Sequence, residues 1–223
     1  MCGRYTLTKE ERRLQERYGI IEHEPFQPRF NICPTQDAPV LLIDENPKIK
    51  SLRWGLIPFW AKDAKIGNSL INARCETIHE KPPYRAAFKK RRCLIPADGF
   101  YEWMKVPGGK QPMHIRLKNG EPFAFAGVWE FWKNAEEKPL LTFSIVTTEP
   151  NELLAQVHNR MPVIVAQNDY DQWLDPKLTA REQLESLFRP YPAEAMEFYP
   201  ISTMVNNPRI EHPKCIERIE ARQ

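Results

Sequence analysis

The sequence lacks the cysteine and histidine patterns that build disulfide frameworks and metal sites. Its five cysteines are scattered along 223 residues, none forms a Cys-x-x-Cys pair, and its five histidines do not complete a zinc-like spacing. Scattered cysteines in odd number favour free thiols in a reducing cytosol. We therefore expect no metal and no cofactor, and we expect every cysteine except Cys2 to act as a small buried hydrophobic residue.

Long apolar runs and glycine are also scarce. No apolar run approaches the ~18 residues of a membrane span, and the mean hydropathy is −0.57. The first residues, MCGRYTLTKEERR, lack the apolar core of a secretory signal. Nine glycines against 21 prolines, without a repeat, exclude a collagen-like chain and favour rigid connections. These features predict a cytoplasmic protein that is neither secreted nor membrane-bound.

What is present is a series of short apolar runs separated by Pro, Gly, Asn or Asp, which is typical of strands. Most gaps between them are too short for parallel crossovers. The predicted class is α+β, a single domain over residues 1–223 with a largely antiparallel, barrel-like sheet and peripheral helices. The predicted strands are Val40–Ile43, Ile49–Trp54, Cys93–Ile95, Gly99–Met104, His114–Leu117, Phe123–Trp129, Leu140–Val146, Val163–Val165 and Met196–Ile201. The predicted helices are Thr8–Gly19, Pro83–Lys90, Asn151–Val157, Gln167–Trp173 and Thr179–Phe188.

Charge of one sign is concentrated in one segment, although the net charge is only +3. Between Lys81 and Arg92 there are six basic residues and no acidic one: Lys81, Arg85, Lys89, Lys90, Arg91 and Arg92. Such a segment fits either a basic face that binds a polyanion or an ordinary solvated helix face. Both interpretations stand at this point.

Cys2 has distinctive chemistry if Met1 is removed. Its α-amine, with an ordinary pKa of about 7.7–8.0, and its thiol, near 8.5, would then stand on adjacent carbons. Such an aminothiol condenses with an aldehyde to an imine, and the thiol then closes a five-membered thiazolidine. Alternatively, the amine acts as the base for its own thiol, as in N-terminal-nucleophile hydrolases. A chance Met-Cys start is the plain alternative.

Four other polar residues stand in unusual settings. Glu102 lies between aromatic residues, where burial would raise its carboxyl pKa for proton transfer, or strand alternation would turn it to solvent. His158 follows a predicted helix and fits a proton shuttle or a structural histidine. In an extended segment Asn72 and Arg74 would share one face, suited to a substrate and a phosphate, unless they are a turn asparagine and a surface arginine.

Six segments, in their order along the chain, resemble the SOS-response-associated peptidase (SRAP) family, whose members sense abasic sites in DNA. They are MCGRYT from Met1, NICPTQ from Asn31, WGLIPFW from Trp54, NARCET from Asn72, RCLIPADGFYEW from Arg92 and HNRMP from His158. The likeness spans most of the chain and weakens in the last third. Cys33 stands where alanine is common and Asn159 where aspartate is frequent, and neither departure affects the chemistry.

The resemblance implies a covalent reaction with the ring-opened aldehyde of an abasic site in single-stranded DNA. Cys2 would supply the amine and the thiol, Glu102 and His158 would transfer protons, and Asn72 would hold the sugar. The family's imine also leads to strand cleavage, an AP lyase activity, in the DNA damage and SOS response. The implied DNA-binding residues are Arg4, Pro34, Trp60, Arg74, Arg85, Trp103 and Arg160. We expect a monomer that associates with the nucleoid when bound to DNA.

Two other functions remain compatible with these residues. The first is an N-terminal-nucleophile cysteine peptidase or amidase, whose substrate is either other peptides or only its own Met1–Cys2 bond. The second is a module that binds single-stranded DNA without covalent chemistry, for which Cys2 would be dispensable and affinity would fall with salt.

Overall fold

The computed structural model describes residues 2–9, 16, 19–20, 22–23, 27–44, 46–133, 136 and 138–220. Within these ranges the strands are β1 (Tyr5–Leu7), β2 (Glu22–His23), β3 (Arg29–Ile32), β4 (Asp37–Asp44), β5 (Asn46–Trp54), β6 (Asn72–Arg74), β7 (Arg92–Ala97), β8 (Gly99–Val106), β9 (Gly109–Leu117), β10 (Phe123–Lys133), β11 (Pro139–Thr148), β12 (Met161–Pro162), β13 (Ile164–Val165) and β14 (Met196–Pro200). The described α-helices are α1 (Arg85–Lys90), α2 (Glu152–Ala155) and α3 (Tyr170–Leu174). Short 3-10 helices cover Ala64–Ser69, Gln167–Asp169, Arg181–Phe188, Ala193–Ala195, Thr203–Asn206 and Pro213–Ile216.

The larger sheet closes on itself. Strands β11, β10, β7, β4 and β5 pair in that order, each antiparallel to the next. A parallel pairing of β11 with β5, at Thr142 with Arg53 and Phe143 with Trp54, completes the ring. Closure pairs strand edges that would otherwise expose unpaired backbone groups. The barrel-like, largely antiparallel α+β fold predicted from the sequence is therefore confirmed.

The smaller sheet carries the amino-terminal segment. Its order is β14–β9–β8–β1–β3, and β1 pairs antiparallel with both β8 and β3. Tyr5 of β1 lies opposite Phe100 on one side and Ile32 on the other. These pairings place the residues just before Tyr5 beside the middle of β8.

Aromatic side chains fill the space between the sheets. The Tyr5 ring meets Trp54 at 5.3 Å and Phe125 at 5.8 Å between centroids, both edge to face, and Trp54 stacks on Phe143 at 6.2 Å. All four side chains are fully buried. Burial of each such side chain stabilises the fold by roughly 1.5–3 kcal/mol, so the amino-terminal strand is anchored in the main core.

Every strand predicted from apolar runs overlaps an observed strand, usually with longer ends. Five further strands, β1, β2, β3, β6 and β12, are too short or too polar to give such a run, and long-range pairing creates them. The predicted helix over 179–188 is a 3-10 helix at Arg181–Phe188, and that over 167–173 divides into a 3-10 turn and α3. The predicted helix over Thr8–Gly19 lies mostly outside the described residues. Among described helices, none is long and apolar enough to cross a membrane.

Candidate active site

The main chain around Cys2 is held by two hydrogen bonds from distant strands. The Tyr101 amide of β8 donates to the Arg4 carbonyl at 3.0 Å. The Asn72 side-chain Nδ2 donates to the Cys2 carbonyl at 2.8 Å. Cys2 itself is fully buried and belongs to the main hydrophobic core. These contacts bring Cys2, Asn72 and the strand that carries Glu102 to one place.

Asn72 is fixed by its position at the start of β6. This strand runs parallel to β11, with Asn72 opposite Ile145, and the Asn72 carbonyl accepts a hydrogen bond from the Tyr84 hydroxyl at 3.0 Å. In the described part of the chain, the Asn72 Oδ1 atom is buried without a hydrogen-bond partner. An unsatisfied buried acceptor costs about 1–3 kcal/mol, so this oxygen is available to a donor on a bound substrate. Of the two settings that the sequence allowed for Asn72 and Arg74, the structure has the extended segment.

Glu102 faces the interior. Its side chain lies on β8 opposite Met113 of β9, and the residue is only 3% exposed. Burial raises the pKa of the Glu102 carboxyl, and the electrostatic interaction with His158 lowers it in part. Of the two orientations that the sequence allowed, the structure has the buried one. A carboxyl with a raised pKa keeps a proton closer to neutral pH and can donate it.

His158 follows α2 and is oriented by backbone contacts. The Asn151 side chain caps α2 by accepting from the Leu154 amide at 2.8 Å, and the His158 amide donates to the Leu154 carbonyl at 2.8 Å. The His158 ring accepts at Nδ1 from the Arg160 amide at 3.0 Å. Because Nδ1 accepts, the neutral ring carries its proton on Nε2. His158 therefore presents a proton donor at a fixed orientation.

Glu102 interacts electrostatically with both Cys2 and His158. Burial raises the pKa of the Cys2 thiol, and the negative charge of Glu102 raises it further. The thiol is consequently held in its S–H form, beside a carboxyl that His158 also influences. Such a group of nucleophile, carboxyl and imidazole can pass protons during addition to a carbonyl.

Trp103 lines a cleft that also includes His158. The cleft has a volume of about 460 Å³. The Trp103 indole N–H donates to the Asn206 Oδ1 at 2.8 Å, and the Arg4 guanidinium lies 5.9 Å above the ring. Arg4 itself donates to the Val205 and Asn206 carbonyls. Arg4, one of the predicted DNA-binding residues, therefore positions Trp103 and anchors the 203–206 segment by hydrogen bonds.

Arg160 is already engaged. It forms a bidentate pair with Glu76, with Nη2 2.9 Å from Oε2, and donates to the Thr147 carbonyl at 2.7 Å. Arg74, by contrast, is exposed at the end of β6, two residues beyond Asn72 on the same strand face. Arg74 is therefore accessible from solvent, whereas the Arg160 guanidinium is occupied by a carboxylate.

The remaining predicted DNA-binding residues lie on other elements. Arg85 lines a groove with Phe59 and Phe131, which are 61% and 40% exposed. Trp60, next to Phe59, is 49% exposed. Pro34 precedes Thr35, whose φ of 70° lies in the left-handed region and costs about 1–3 kcal/mol. The lining of this groove shares no residue with the Trp103 cleft.

The basic segment from Lys81 to Arg92 is only partly a solvated surface. Arg92 is buried and donates to the Phe88 carbonyl at 2.7 Å and to the Trp173 carbonyl. Arg91 pairs with Glu130 at 2.7 Å. The two arginines therefore serve the fold, and Lys81, Arg85, Lys89 and Lys90 provide the exposed charge.

The structure adds residues that sequence reasoning missed. Asp98 accepts from the Thr6 hydroxyl and from the Thr8 amide, both at 2.6 Å, and so holds β1 against β8. Lys105 and Lys110 line the Trp103 cleft. The sequence signal for Asp98 was its position directly before the predicted strand that carries Glu102.

All five cysteines are free and buried. In the described ranges, no three His, Cys, Asp or Glu side chains are grouped to hold a metal ion.

A family model described as SOS response associated peptidase (SRAP) matches residues 1–208. The chain belongs to the SRAP family. This confirms the resemblance inferred from six ordered motifs, and every candidate site residue lies inside the matched range.

Named SRAP relatives cover nearly the whole chain. It is 46% identical over 222 residues to a Bacillus subtilis protein named abasic site processing protein YoqW, covering 97% of this chain and 99% of that protein. It is 30% identical to the Gallus gallus abasic site processing protein HMCES, covering 99% of this chain and 78% of that protein. A crystal structure of a Bacteroides thetaiotaomicron protein superposes with a TM-score of 0.89 at 27% identity, covering 98% of this chain and 100% of that one.

Proposed function

We propose that this SRAP protein processes abasic sites by forming a covalent crosslink with the ring-opened aldehyde in single-stranded DNA. The observation that carries the proposal is the convergence of Cys2 with Asn72, Glu102 and His158: Asn72 holds the Cys2 carbonyl, and Glu102 is coupled electrostatically to both Cys2 and His158. The names of the relatives support the same substrate. The proposed setting is the cytoplasm, on damaged DNA of the nucleoid during the SOS response.

The first step requires a free α-amine on Cys2, which removal of Met1 supplies. The amine adds to the aldehyde carbon, and loss of one water leaves an imine. Protonation of the departing hydroxyl is assigned to Glu102, whose raised pKa keeps a proton available. Asn72 Oδ1, buried without a partner in the described structure, accepts a hydrogen bond from a sugar hydroxyl.

The second step makes the adduct durable. The Cys2 sulfur adds to the imine carbon, a carbon–sulfur bond forms, and the thiol proton passes to the imine nitrogen. The product is a saturated thiazolidine ring without the hydrolysable double bond. Because the thiol is held protonated by burial, a neighbouring base must accept its proton during attack, and Glu102 after the first step is suited to do so.

The imine also provides a route to strand cleavage. Removal of a proton from the carbon next to the imine expels the 3′ phosphate by β-elimination, which is AP lyase chemistry. The Glu102 carboxylate that the first step leaves is assigned to remove this proton, and His158, whose Nδ1 accepts from the Arg160 amide, is assigned to donate its Nε2 proton during the transfers. Arg74 and Arg85 are proposed to bind phosphates, with Arg160 joining them on leaving Glu76, and Pro34, Trp60 and Trp103 to contact splayed bases. The protein is proposed to act as a monomer.

Self-removal of Met1 is the peptidase activity compatible with this site. The Cys2 thiol would attack the carbonyl of its own Met1–Cys2 bond in a single turnover: the amide C–N bond breaks to free the Cys2 amine, and water hydrolyses the resulting thioester to release Met1. A raised thiol pKa disfavours a free thiolate that hydrolyses external peptides. We therefore assign crosslinking as the main function and peptide hydrolysis, at most, to maturation.

Intact-mass spectrometry tests the proposal. The purified protein is expected to lack the mass of Met1, and incubation with a short abasic single strand is expected to add the oligonucleotide mass minus one water. Cys2→Ala keeps an amine but no thiol, so it is expected to lose the durable adduct and to retain some strand cleavage. Cys215→Ala, which removes another buried free thiol, is the matched control.

The alternatives give different results. Turnover of peptides without an adduct would support the amidase, and salt-sensitive binding that is unaffected in Cys2→Ala would support the non-covalent module. A Cys2→Ala protein that crosslinks as durably as the wild type contradicts the proposal.

A further inference from the structure

The β8–β9 hairpin, whose first strand carries Glu102, holds two lysines opposite each other near its turn. Strands β8 and β9 pair so that Lys105 lies directly opposite Lys110 and Val106 opposite Gly109. Pro107 and Gly108, the latter with a φ of 79°, form the turn, and proline followed by a residue of positive φ is the type II pattern. A two-residue turn sets the register, so this pairing is built into the hairpin.

The pairing is unfavourable unless an anion is present. Like charges directly opposite each other on neighbouring strands destabilise a sheet. Both lysines are exposed, and within the described part of the chain neither has a carboxylate partner. The sheet position therefore holds two positive charges together without internal compensation.

The surroundings of the lysines suit a nucleotide. With Trp103, Gln156, His158 and Asn159 they line the cleft of about 460 Å³, and the described lining contains no Asp or Glu. The Trp103 ring is held at its indole nitrogen by Asn206. A held aromatic ring, two ammonium groups and two side-chain amides are the groups that bind a base, a phosphodiester and a sugar.

We propose that Lys105 and Lys110 form a phosphodiester subsite for the nucleotide that flanks the abasic site, with its base beside Trp103. The subsite rests on the proposed function, because His158 lies in the same cleft. The lysines contribute affinity and position the strand, and they take no part in the covalent steps.

The test measures binding and reaction separately. Lys105→Ala/Lys110→Ala is expected to bind an abasic single strand about tenfold more weakly at low salt, and the slope of log affinity against log salt to fall by about 1.4. The crosslinking rate at subsaturating DNA is expected to fall by the same factor as the affinity. Lys118→Ala/Lys177→Ala removes two exposed lysines outside the cleft and is expected to leave affinity and slope close to wild type.

A second variant separates binding from folding. Lys105→Glu places opposite charges across the hairpin, so its Tm is expected to equal or exceed that of the wild type. Its DNA affinity is expected to fall further than that of Lys105→Ala. Weak binding by a protein of undiminished Tm cannot be attributed to misfolding.

Two results decide between the proposals. Unchanged affinity and salt slope in the double alanine variant, with the wild type crosslinking normally, overturn the lysine subsite and leave the proposed function standing. If the wild type forms no adduct but the variant still binds an intact strand more weakly, the subsite stands as a DNA site and the proposed covalent function fails.

Discussion

The Asn72 side chain donates a hydrogen bond of 2.8 Å to the main-chain carbonyl of Cys2, 70 residues away in sequence. This bond fixes the residue whose amine and thiol are proposed to react. It leaves the other amide atom, Oδ1, buried and ready to accept from a substrate. One side chain therefore positions the nucleophile and is placed to bind the sugar.

Asn72→Ala is expected to slow adduct formation about tenfold or more. The change removes one hydrogen bond to Cys2 and one acceptor for the sugar, each contributing about 0.5–1.5 kcal/mol. The measurement is the initial crosslinking rate at saturating abasic DNA. Asn68→Ala, at an exposed position of the 3-10 helix Ala64–Ser69, is the control. Equal rates for the two variants would contradict the role of Asn72.

Glu102→Gln is expected to stabilise the protein at neutral pH and to slow the reaction. Burial raises the pKa of Glu102 in the folded state, so the folded protein holds this proton more tightly than the unfolded chain does. The associated stability is complete below the ordinary carboxyl pKa of about 4.3 and is lost as pH rises through the raised value. Glutamine is neutral at every pH, so Glu102→Gln does not lose this stability as the pH rises.

Thermal unfolding across pH checks this expectation. The Tm of Glu102→Gln relative to wild type is expected to rise with pH above about 4.3, while its crosslinking rate at neutral pH is lower. Glu217→Gln, at an exposed position, is expected to change neither. Parallel Tm curves for wild type and Glu102→Gln would argue against a raised pKa.

Glu76→Gln is expected to strengthen binding to intact single-stranded DNA. The Glu76 carboxylate occupies the Arg160 guanidinium with two hydrogen bonds, and a phosphate must displace it. A neutral amide competes less well with a phosphate for Arg160. The affinity for DNA is therefore expected to rise a few-fold, because an exposed ion pair contributes about 0.2–1 kcal/mol. Fluorescence anisotropy measures it, and Glu185→Gln, which frees Arg181 in the same way, is the control. Equal affinity for both variants would show that Arg160 does not bind phosphate.

Arg92→Ala is expected to lower the stability of the fold, and Arg85→Ala is expected to weaken DNA binding. Arg92 donates to the carbonyls of Phe88, Trp173 and Asp175, so its loss is expected to cost about 3 kcal/mol of unfolding free energy with little change in DNA affinity. Arg85 is exposed on α1, so its loss is expected to weaken DNA binding and leave Tm unchanged. Denaturant unfolding and DNA titration of both variants check the contrast.

Much of the sheet could be predicted because each main strand carries its own apolar run. Strands β1, β2, β3, β6 and β12 could not, since pairing with distant strands makes these short segments extended. The 3-10 conformation of Arg181–Phe188 was missed for a related reason: its apolar spacing resembles that of an α-helix, and packing decides between the two. The assignment of residues 1–223 to one domain stays a prediction.

The sequence by itself determined the chemistry that is available: an aminothiol once Met1 is removed, a carboxyl among aromatic residues, an imidazole after a helix, and the motifs that define the family. These are properties of residue types and short segments. Only the tertiary structure decided that Glu102 faces inward and that Asn72 holds Cys2. It likewise decided that Arg91 and Arg160 are ion-paired and that Arg92 donates to main-chain carbonyls. The reason is physical: burial, pKa and ion pairing depend on which distant residues lie close together. The long-range pairing of the strands decides which residues those are.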